Sequence, residues 1–230
     1  MDDEFHVGEG TFGDYRALAR FHYRAGAPAS PVRVMAARAG GDLAGVLVVA
    51  NPTLNGAWRR EAWPRLMAGA DKREAARVLN ARVRTIARVV VEPRYRGLGV
   101  AKALVRAYLR DPCTDHTEAL AAMGAVCPFF AGAGMREVPM PARPRERMLA
   151  RQVRRAGVRA WELLEEDACA RILARSSELR KAMLRFARQS RATRGLAREV
   201  SLGRVDARWV DLAARAGSTL VARPRVYVCP

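Results

Sequence analysis

The stretch RVVVEPRYRGLGVAK, residues 88–102, decides the fold of this chain. Its run of valines predicts a buried strand, and Pro93 ends that strand because proline cannot donate to a strand ladder. Gly97 and Gly99 then allow a sharp turn in which the backbone comes close to a ligand. Apolar residues recur at helical spacing from Leu98 onward. The stretch therefore predicts a strand, a glycine turn and a helix.

The start of this predicted helix has the properties of a phosphate site. The first N–H groups of a helix have no partner within the helix, and the helix dipole attracts an anion there. Arg94, Arg96 and Lys102 add positive charge around the turn. A dinucleotide-binding loop would need a third glycine where Lys102 stands, and the Gly-Lys-Ser/Thr of a Walker A loop is absent.

The pattern Arg-Tyr-Arg-Gly-Leu-Gly at residues 94–99, on a strand, turn and helix, resembles motif A of the GNAT acyltransferase superfamily. The resemblance runs from about residue 10 to about residue 138, where a short helix ending at Gly134 and Met135 keeps the family order. It implies an α/β fold with a mixed sheet and flanking helices, and a donor that is acetyl-CoA or another acyl-CoA. The implied donor-binding residues are Val89, Val91, Arg94, Arg96, Gly97, Leu98, Gly99, Val100, Ala101 and Lys102.

The groups that would move protons are a separate question. Many GNAT members use a tyrosine in the short helix as the acid, and the matching residue here is Phe130, which has no proton to donate. The candidate catalytic residues are His22 and Tyr23, at the end of a predicted helix capped by Asp14, and Glu118, in the strand after the glycine-loop helix. The alternatives are a capping histidine, a packed tyrosine and a solvated carboxylate.

Other reactive residues have two interpretations each. Arg88, in the middle of the valine strand, either contacts CoA or a substrate anion, or faces solvent. Cys127 is either a nucleophile or a small core thiol, and the core thiol is favoured. The three histidines show no metal-ligand spacing, so the metal is unknown, although a site built from His22, Asp115 and Glu118 stays open.

Length and composition narrow the class of protein. A chain of 230 residues is one large domain, or a core of roughly 150 residues with an appendage. No apolar run approaches the ~20 residues that span a bilayer, and the acidic N-terminus is unlike a signal peptide. Four widely spaced cysteines predict reduced thiols. We therefore expect a cytoplasmic protein without a membrane partner.

The net charge of +18 predicts a polyanionic partner, and DNA is preferred over RNA. Residues 141–230 hold 21 basic and 9 acidic residues, a net charge of +12. The alternatives are a solvated basic surface and an acidic protein partner. If a base in a duplex is the acceptor, it must leave the stack and lie on an aromatic ring, for which Tyr23, Trp58, Tyr95 and Phe129 are candidates. The predicted phosphate contacts are Arg151, Arg154, Arg155 and Arg159.

The change in composition predicts three segments. Residues 1–140 form the acyl-CoA-binding core, residues 141–222 form an arginine-rich helical arm inserted in it, and residues 223–230 form a strand that returns to the core sheet. Because Pro224 is costly inside a sheet, this last strand is expected at an edge.

A narrower resemblance concerns the acceptor. Phe21-His22-Tyr23 with the following Gly/Pro loop, and Pro128-Phe-Phe in the short helix, are similar to the GNAT branch that includes phage Mom-type DNA modification enzymes and domains fused to ABC-type ATPases. This resemblance implies modification of the exocyclic amine of adenine in DNA, an acyl-CoA-like donor, and iron.

The sequence predicts one preferred function and two alternatives. The preferred one is a GNAT-like acyltransferase that modifies an amine on nucleic acid. The second is an N-acetyltransferase for a protein or a small amine, in which the basic arm serves only solubility or assembly. The third is a non-enzymatic nucleic-acid-binding protein, since residues 206–217 resemble part of a helix-turn-helix.

Overall fold

A computed structural model of the chain describes residues 5–22, 26–140, 142–189 and 193–230. The chain divides into two compact units, residues 1–140 with 224–230 and residues 141–223. Tyr23, one of the predicted catalytic residues, lies outside the described residues.

The described residues of the first unit contain a mixed sheet of seven strands, in which neighbouring strands run antiparallel except for the parallel fourth and fifth strands. The strands are β1 (His6–Glu9), β2 (Pro31–Ala39), β3 (Asp42–Ala50), β4 (Val83–Val91), β5 (His116–Ala121), β6 (Arg136–Val138) and β7 (Arg225–Cys229). Their order in the sheet is β1-β2-β3-β4-β5-β7-β6. The predicted α/β fold with a mixed sheet is confirmed.

Five helices in the described part of the first unit flank this sheet. They are α1 (Phe12–Leu18), α2 (Arg59–Ala62), α3 (Lys72–Arg82), α4 (Val100–Arg110) and α5 (Phe129–Gly132). A 3-10 turn, Ala19–Phe21, extends α1. The cap of α1 is Thr11, whose hydroxyl accepts from the Asp14 N–H at 3.1 Å, while the Asp14 carboxylate accepts from the Thr11 N–H at 2.7 Å. The expected cap at Asp14 is therefore wrong, because Asp14 is the third helical residue of a capping box.

Apolar side chains are buried on both faces of the sheet. On one face, Val49 of β3 packs in a core with Val100 and Leu104 of α4. On the other face, Val48 packs in a core with Tyr15 of α1. Neighbouring residues of a strand point to opposite faces, so the two cores define an α4 face and an α1 face.

The last strand lies inside the sheet. Strand β7 pairs with β5 on one side and with β6 on the other. Its expected place at an edge is wrong, because Pro224 precedes Arg225, the first paired residue, and so removes no ladder hydrogen bond.

The second unit is helical. Its helices are α6 (Pro144–Arg155), α7 (Glu166–Arg175), α8 (Ser177–Arg188), α9 (Leu196–Glu199) and α10 (Ala207–Val221). They enclose an apolar core that includes Leu149, Leu173 and Trp209. The segment that resembles part of a helix-turn-helix lies almost wholly in α10, a single helix capped by Asp206. No helix in the described parts of either unit is long and apolar enough to cross a membrane.

Candidate functional site

Strands β4 and β5 pair along only part of their length, which opens the sheet. Residues 83–86 of β4 pair with residues 116–119 of β5, and no described strand pairs with that side of β4 beyond this point. Residues 87–91 therefore present backbone N–H and C=O groups to the gap. Such a free edge can pair with an extended polar chain.

A cavity of about 520 Å³ lies along this gap. It is lined by β4, the glycine turn, the first turn of α4, the end of β5 and α5. The structure brings eight of the predicted donor-binding residues to it: Val89, Val91, Arg96, Gly97, Gly99, Val100, Ala101 and Lys102.

Two of the predicted donor-binding residues are not among the lining residues. The guanidinium of Arg94 pairs with the Glu92 carboxylate at 3.1 Å, which raises the pKa of Arg94. Leu98 is 55% exposed, outside the cavity.

The glycine turn has the geometry of an anion site. Gly97 and Gly99 have φ angles of 84° and 89°, which residues with a side chain rarely adopt. A Cβ at either residue would meet no atom within 4 Å. Helix α4 begins at Val100, two residues after the predicted start, and Gly99 caps it without a side-chain hydrogen bond. Its first N–H groups are therefore available to a ligand, with Lys102 beside them. This set of donors fits the pyrophosphate of an acyl-CoA.

A β-bulge in β4 determines which face Arg88 occupies. Val49 pairs with Ile86 and Val48 pairs with Arg88, so Ala87 is an extra residue on β4. Ile86 therefore lies on the α4 face with Val49, and Arg88 lies on the α1 face with Val48. Arg88 lines the cavity and is only 9% exposed, so its predicted solvent-facing alternative is wrong.

Phe130 lines the cavity where many GNAT members have a tyrosine. It is buried, and its ring stacks on Tyr227 with centroids 5.4 Å apart. The Tyr227 hydroxyl donates to the Gly124 carbonyl oxygen at 3.2 Å, and burial raises the pKa of Tyr227. This hydroxyl is engaged in the protein, so neither ring supplies the usual acid.

Glu118 is placed differently from the expectation. It is buried, is not among the residues that line the cavity, and its oxygens accept four hydrogen bonds. The donors are Trp58 Nε1 at 2.8 Å, Arg59 Nε at 2.8 Å, Arg59 Nη2 at 2.6 Å and Thr85 Oγ1 at 2.8 Å. Both oxygens of this carboxylate are occupied by protein donors and the side chain does not line the cavity, so we leave Glu118 out of the catalytic set and Trp58 out of the stacking candidates.

Sequence reasoning missed the buried Arg59–Glu118 ion pair completely. Arg59 lies in a polar segment before Pro64, and no periodicity indicates that it would be fully buried. The pair joins residues 59 positions apart, so only the folded sheet brings the charges together.

Several of the remaining candidate residues also line the cavity. His22 lines the cavity beside Phe21, as do Tyr95 and Phe129. Cys127 also lines it and is exposed, so its interpretation as a core thiol is wrong.

The described residues contain no cluster of three or more His, Cys, Asp or Glu side chains that could hold a metal ion. Asp115 pairs with Arg82 at 2.9 Å, and the His116 ring lies against Trp63 with centroids 4.8 Å apart. The described residues therefore do not fit the iron implied by the resemblance.

Helix α6 of the second unit carries an exposed face of arginines. Arg147, Arg151, Arg154 and Arg155 recur at positions that share one side of a helix, and all four are exposed. Arg151, Arg154 and Arg155 form no ion pair with any described residue. Arg159, after the helix, is exposed and its guanidinium lies over the Trp161 ring at 4.7 Å.

Comparison with known proteins identifies the family. Residues 3–112 match the family described as the acetyltransferase (GNAT) family. No curated protein matches the sequence. The match assigns residues 3–112, a little under half of the chain, to the GNAT family, whose members use acetyl-CoA or another acyl-CoA as donor.

Among solved structures, Ard1 from Thermoplasma volcanium is 14% identical with a TM-score of 0.38, over 60% of this chain and 86% of that chain. A variant of agmatine N-acetyltransferase in its apo form is 12% identical with a TM-score of 0.38, over 60% and 85%. Nourseothricin acetyltransferase is 17% identical with a TM-score of 0.33, over 59% and 85%.

Proposed function

We propose that the chain transfers an acyl group from a CoA-type donor to an amine on nucleic acid, with the exocyclic amine of adenine in DNA as the first candidate. The observation that carries the choice of acceptor is the exposed arginine face of α6, in a chain whose net charge is +18. Phosphates bind such a face through charge, and this contact gives affinity without reading sequence.

The gap between β4 and β5 is the proposed donor site. The N–H groups of residues 99–101 and the charges of Arg96 and Lys102 hold the pyrophosphate. The pantetheine arm pairs with the free edge of β4 near Val89 and Val91. In this proposal the thioester lies between β4 and β5, in the cavity that His22 also lines.

The reaction joins the acceptor nitrogen to the thioester carbonyl carbon. The nitrogen attacks that carbon, the carbon–sulfur bond breaks, and the thiolate of CoA leaves. The nitrogen gives up one proton, for which we propose His22 as the acceptor, and the thiolate takes up one proton. Because Phe130 cannot supply that second proton, we propose water or Tyr23 as its source.

A nucleobase amine suits this site chemically. It is uncharged near neutral pH, so its attack does not first require the removal of an ammonium proton. The rings of Tyr95 and Phe129 line the cavity and can stack with a base that has left the duplex.

The decisive experiment is mass spectrometry of nucleosides from cells that express the chain. We expect an acylated nucleoside with the wild type and none with Gly97→Glu, whose side chain would occupy the pyrophosphate position. Identical nucleoside profiles with the two proteins would contradict the nucleic-acid acceptor, and the same digests would then be searched for acylated peptides and small amines.

Binding to DNA tests the arginine face separately. We expect Arg151→Gln/Arg155→Gln to reduce the slope of log K against log salt by about 1.8, from about 0.9 for each lost phosphate contact. The matched control is Arg171→Gln/Arg175→Gln on α7, where two arginines have the same spacing and exposure. An equal reduction in both variants would show that α6 has no special part in binding.

A further inference from the structure

Among the described residues of the first unit, one buried charge has no counter-charge. Of the described residues, three charged side chains are buried, Arg59, Arg88 and Glu118. Arg59 and Glu118 form the ion pair described above, in which the Glu118 carboxylate accepts four hydrogen bonds. Arg88 remains, and no described carboxylate pairs with it.

The hydrogen bonds of Arg88 do not compensate for its charge. Its Nη1 donates to the Ala87 carbonyl oxygen at 2.8 Å, and its buried Nε has no hydrogen-bond partner among the residues that the structure describes. A buried guanidinium without an acidic partner costs free energy, which an ordinary structural arginine would avoid. The bulge at Ala87 adds to this observation, because it directs Arg88 away from the α4 face and its apolar core.

We propose that Arg88 binds an oxyanion of the acceptor, a phosphate or a carboxylate near the amine that is acylated. The inference rests on the proposed acyl transfer and specifies the chemistry of the acceptor. Arg88 lines the same cavity as the glycine turn. It lies on the α1 face of the sheet, whereas the first turn of α4, which holds the pyrophosphate in the proposed function, lies on the opposite face. The planar guanidinium matches either oxyanion with two parallel hydrogen bonds.

The same charge disfavours cationic acceptors. A polyamine or a lysine side chain would bring an ammonium group close to a guanidinium that no carboxylate neutralises, and like charges repel strongly in a site with little water. An amine attached to a phosphate or a carboxylate brings the missing negative charge with it. The site is therefore selective for acidic acceptors.

Binding to the CoA-saturated full-length protein tests the proposal, because CoA occupies the other phosphate site. The phosphate arm compares 2′-deoxyadenosine 5′-monophosphate with 2′-deoxyadenosine by titration calorimetry. The carboxylate arm compares β-alanine with β-alaninamide. We expect the member of at least one pair that carries the phosphate or carboxylate to bind about 10- to 100-fold more tightly, the range for a charge-assisted hydrogen bond. The arm that shows the difference identifies the oxyanion.

Three variants assign the selectivity to Arg88. Arg88→Met should abolish the preference, Arg88→Lys should keep part of it, and Arg84→Met, a control on the same strand, should leave it unchanged. If Arg88→Met does not fold, the wild-type comparison and Arg88→Lys still decide the question.

Equal binding within both pairs, including no binding of any probe, would overturn the proposal. A preference that survives Arg88→Met, or an Arg88→Met variant that lowers turnover equally for all acceptors, would also overturn it. These outcomes are independent of the nucleoside experiment. Selective binding of small anionic acceptors with unmodified nucleic acid would retain the role of Arg88 and reject the nucleic-acid substrate.

Discussion

Removing the Glu118 carboxylate should destabilise the first unit strongly. In Glu118→Ala, the fully buried guanidinium of Arg59 keeps only the carbonyl oxygens of Thr53 and Leu54, at 2.7 and 3.3 Å. Trp58 Nε1 and Thr85 Oγ1 lose their acceptor as well. Breaking a buried ion pair from one side costs about 3–5 kcal/mol. At about 2–4 °C for each kcal/mol, the melting temperature should fall by about 6–20 °C.

Urea unfolding followed by circular dichroism measures this loss, with Glu137→Ala as the matched control. Glu137 also pairs with an arginine, Arg225, but both side chains are more than two-fifths exposed, so water screens the pair and stability should change little. The double variant Arg59→Met/Glu118→Leu should lose less stability than Glu118→Ala, because it leaves no unpaired buried charge. A Glu118→Ala protein that unfolds at the wild-type urea concentration but has lost turnover would refute the structural role and restore Glu118 as a catalytic candidate.

Three further predictions follow from the site and its surroundings. Gly97→Ala should weaken CoA binding about 5- to 30-fold in calorimetry, because alanine relaxes out of a φ of 84° in the free protein and returning to it on binding costs about 1–2 kcal/mol. Unchanged affinity would contradict the role of the turn. Saturating CoA should slow alkylation of Cys127, which lines the cavity, but not of the exposed Cys113. Cys169 should stay unmodified because burial raises its pKa to about 11. An alkylation rate of Cys127 that is the same with and without CoA would count against the donor site. Burial, followed by the charge of Arg82, lowers the pKa of His116. The unfolded chain therefore binds this proton first as the pH falls, and stability should decrease below about pH 6.5. His116→Gln should lose less stability than the wild type between pH 7.5 and 5.5, and parallel stability–pH profiles of the two proteins would contradict this.

The parts of the fold that local chemistry determines were predictable from the sequence. The strand before Pro93, the glycine turn and the helix after it depend on residues adjacent in the chain, and only the first residue of α4 differs. The hairpin between β2 and β3 is of the same kind, since Gly40 and Gly41 both have positive φ. The family resemblance drawn from residues 94–99 is confirmed by the match over residues 3–112.

The parts that depend on distant contacts were not predictable. The bulge at Ala87 appears only when β3 fixes the register of β4, and it alone decides which face Arg88 occupies. Glu118 looked like a free carboxylate because nothing in the sequence links it to Arg59. The sequence predicted an edge position for β7 because Pro224 precedes it. The pairing of β7 with both β5 and β6 shows that this proline lies outside the ladder.

The central claim is that the donor lies on the glycine turn and along the free edge of β4. Hydrogen exchange measured by mass spectrometry, with and without saturating CoA, tests it most directly. We predict slower exchange in peptides that cover residues 87–91 and 97–103, and unchanged exchange in a peptide from α10. Unchanged exchange in the first two peptides under CoA concentrations that saturate the protein would contradict the claim.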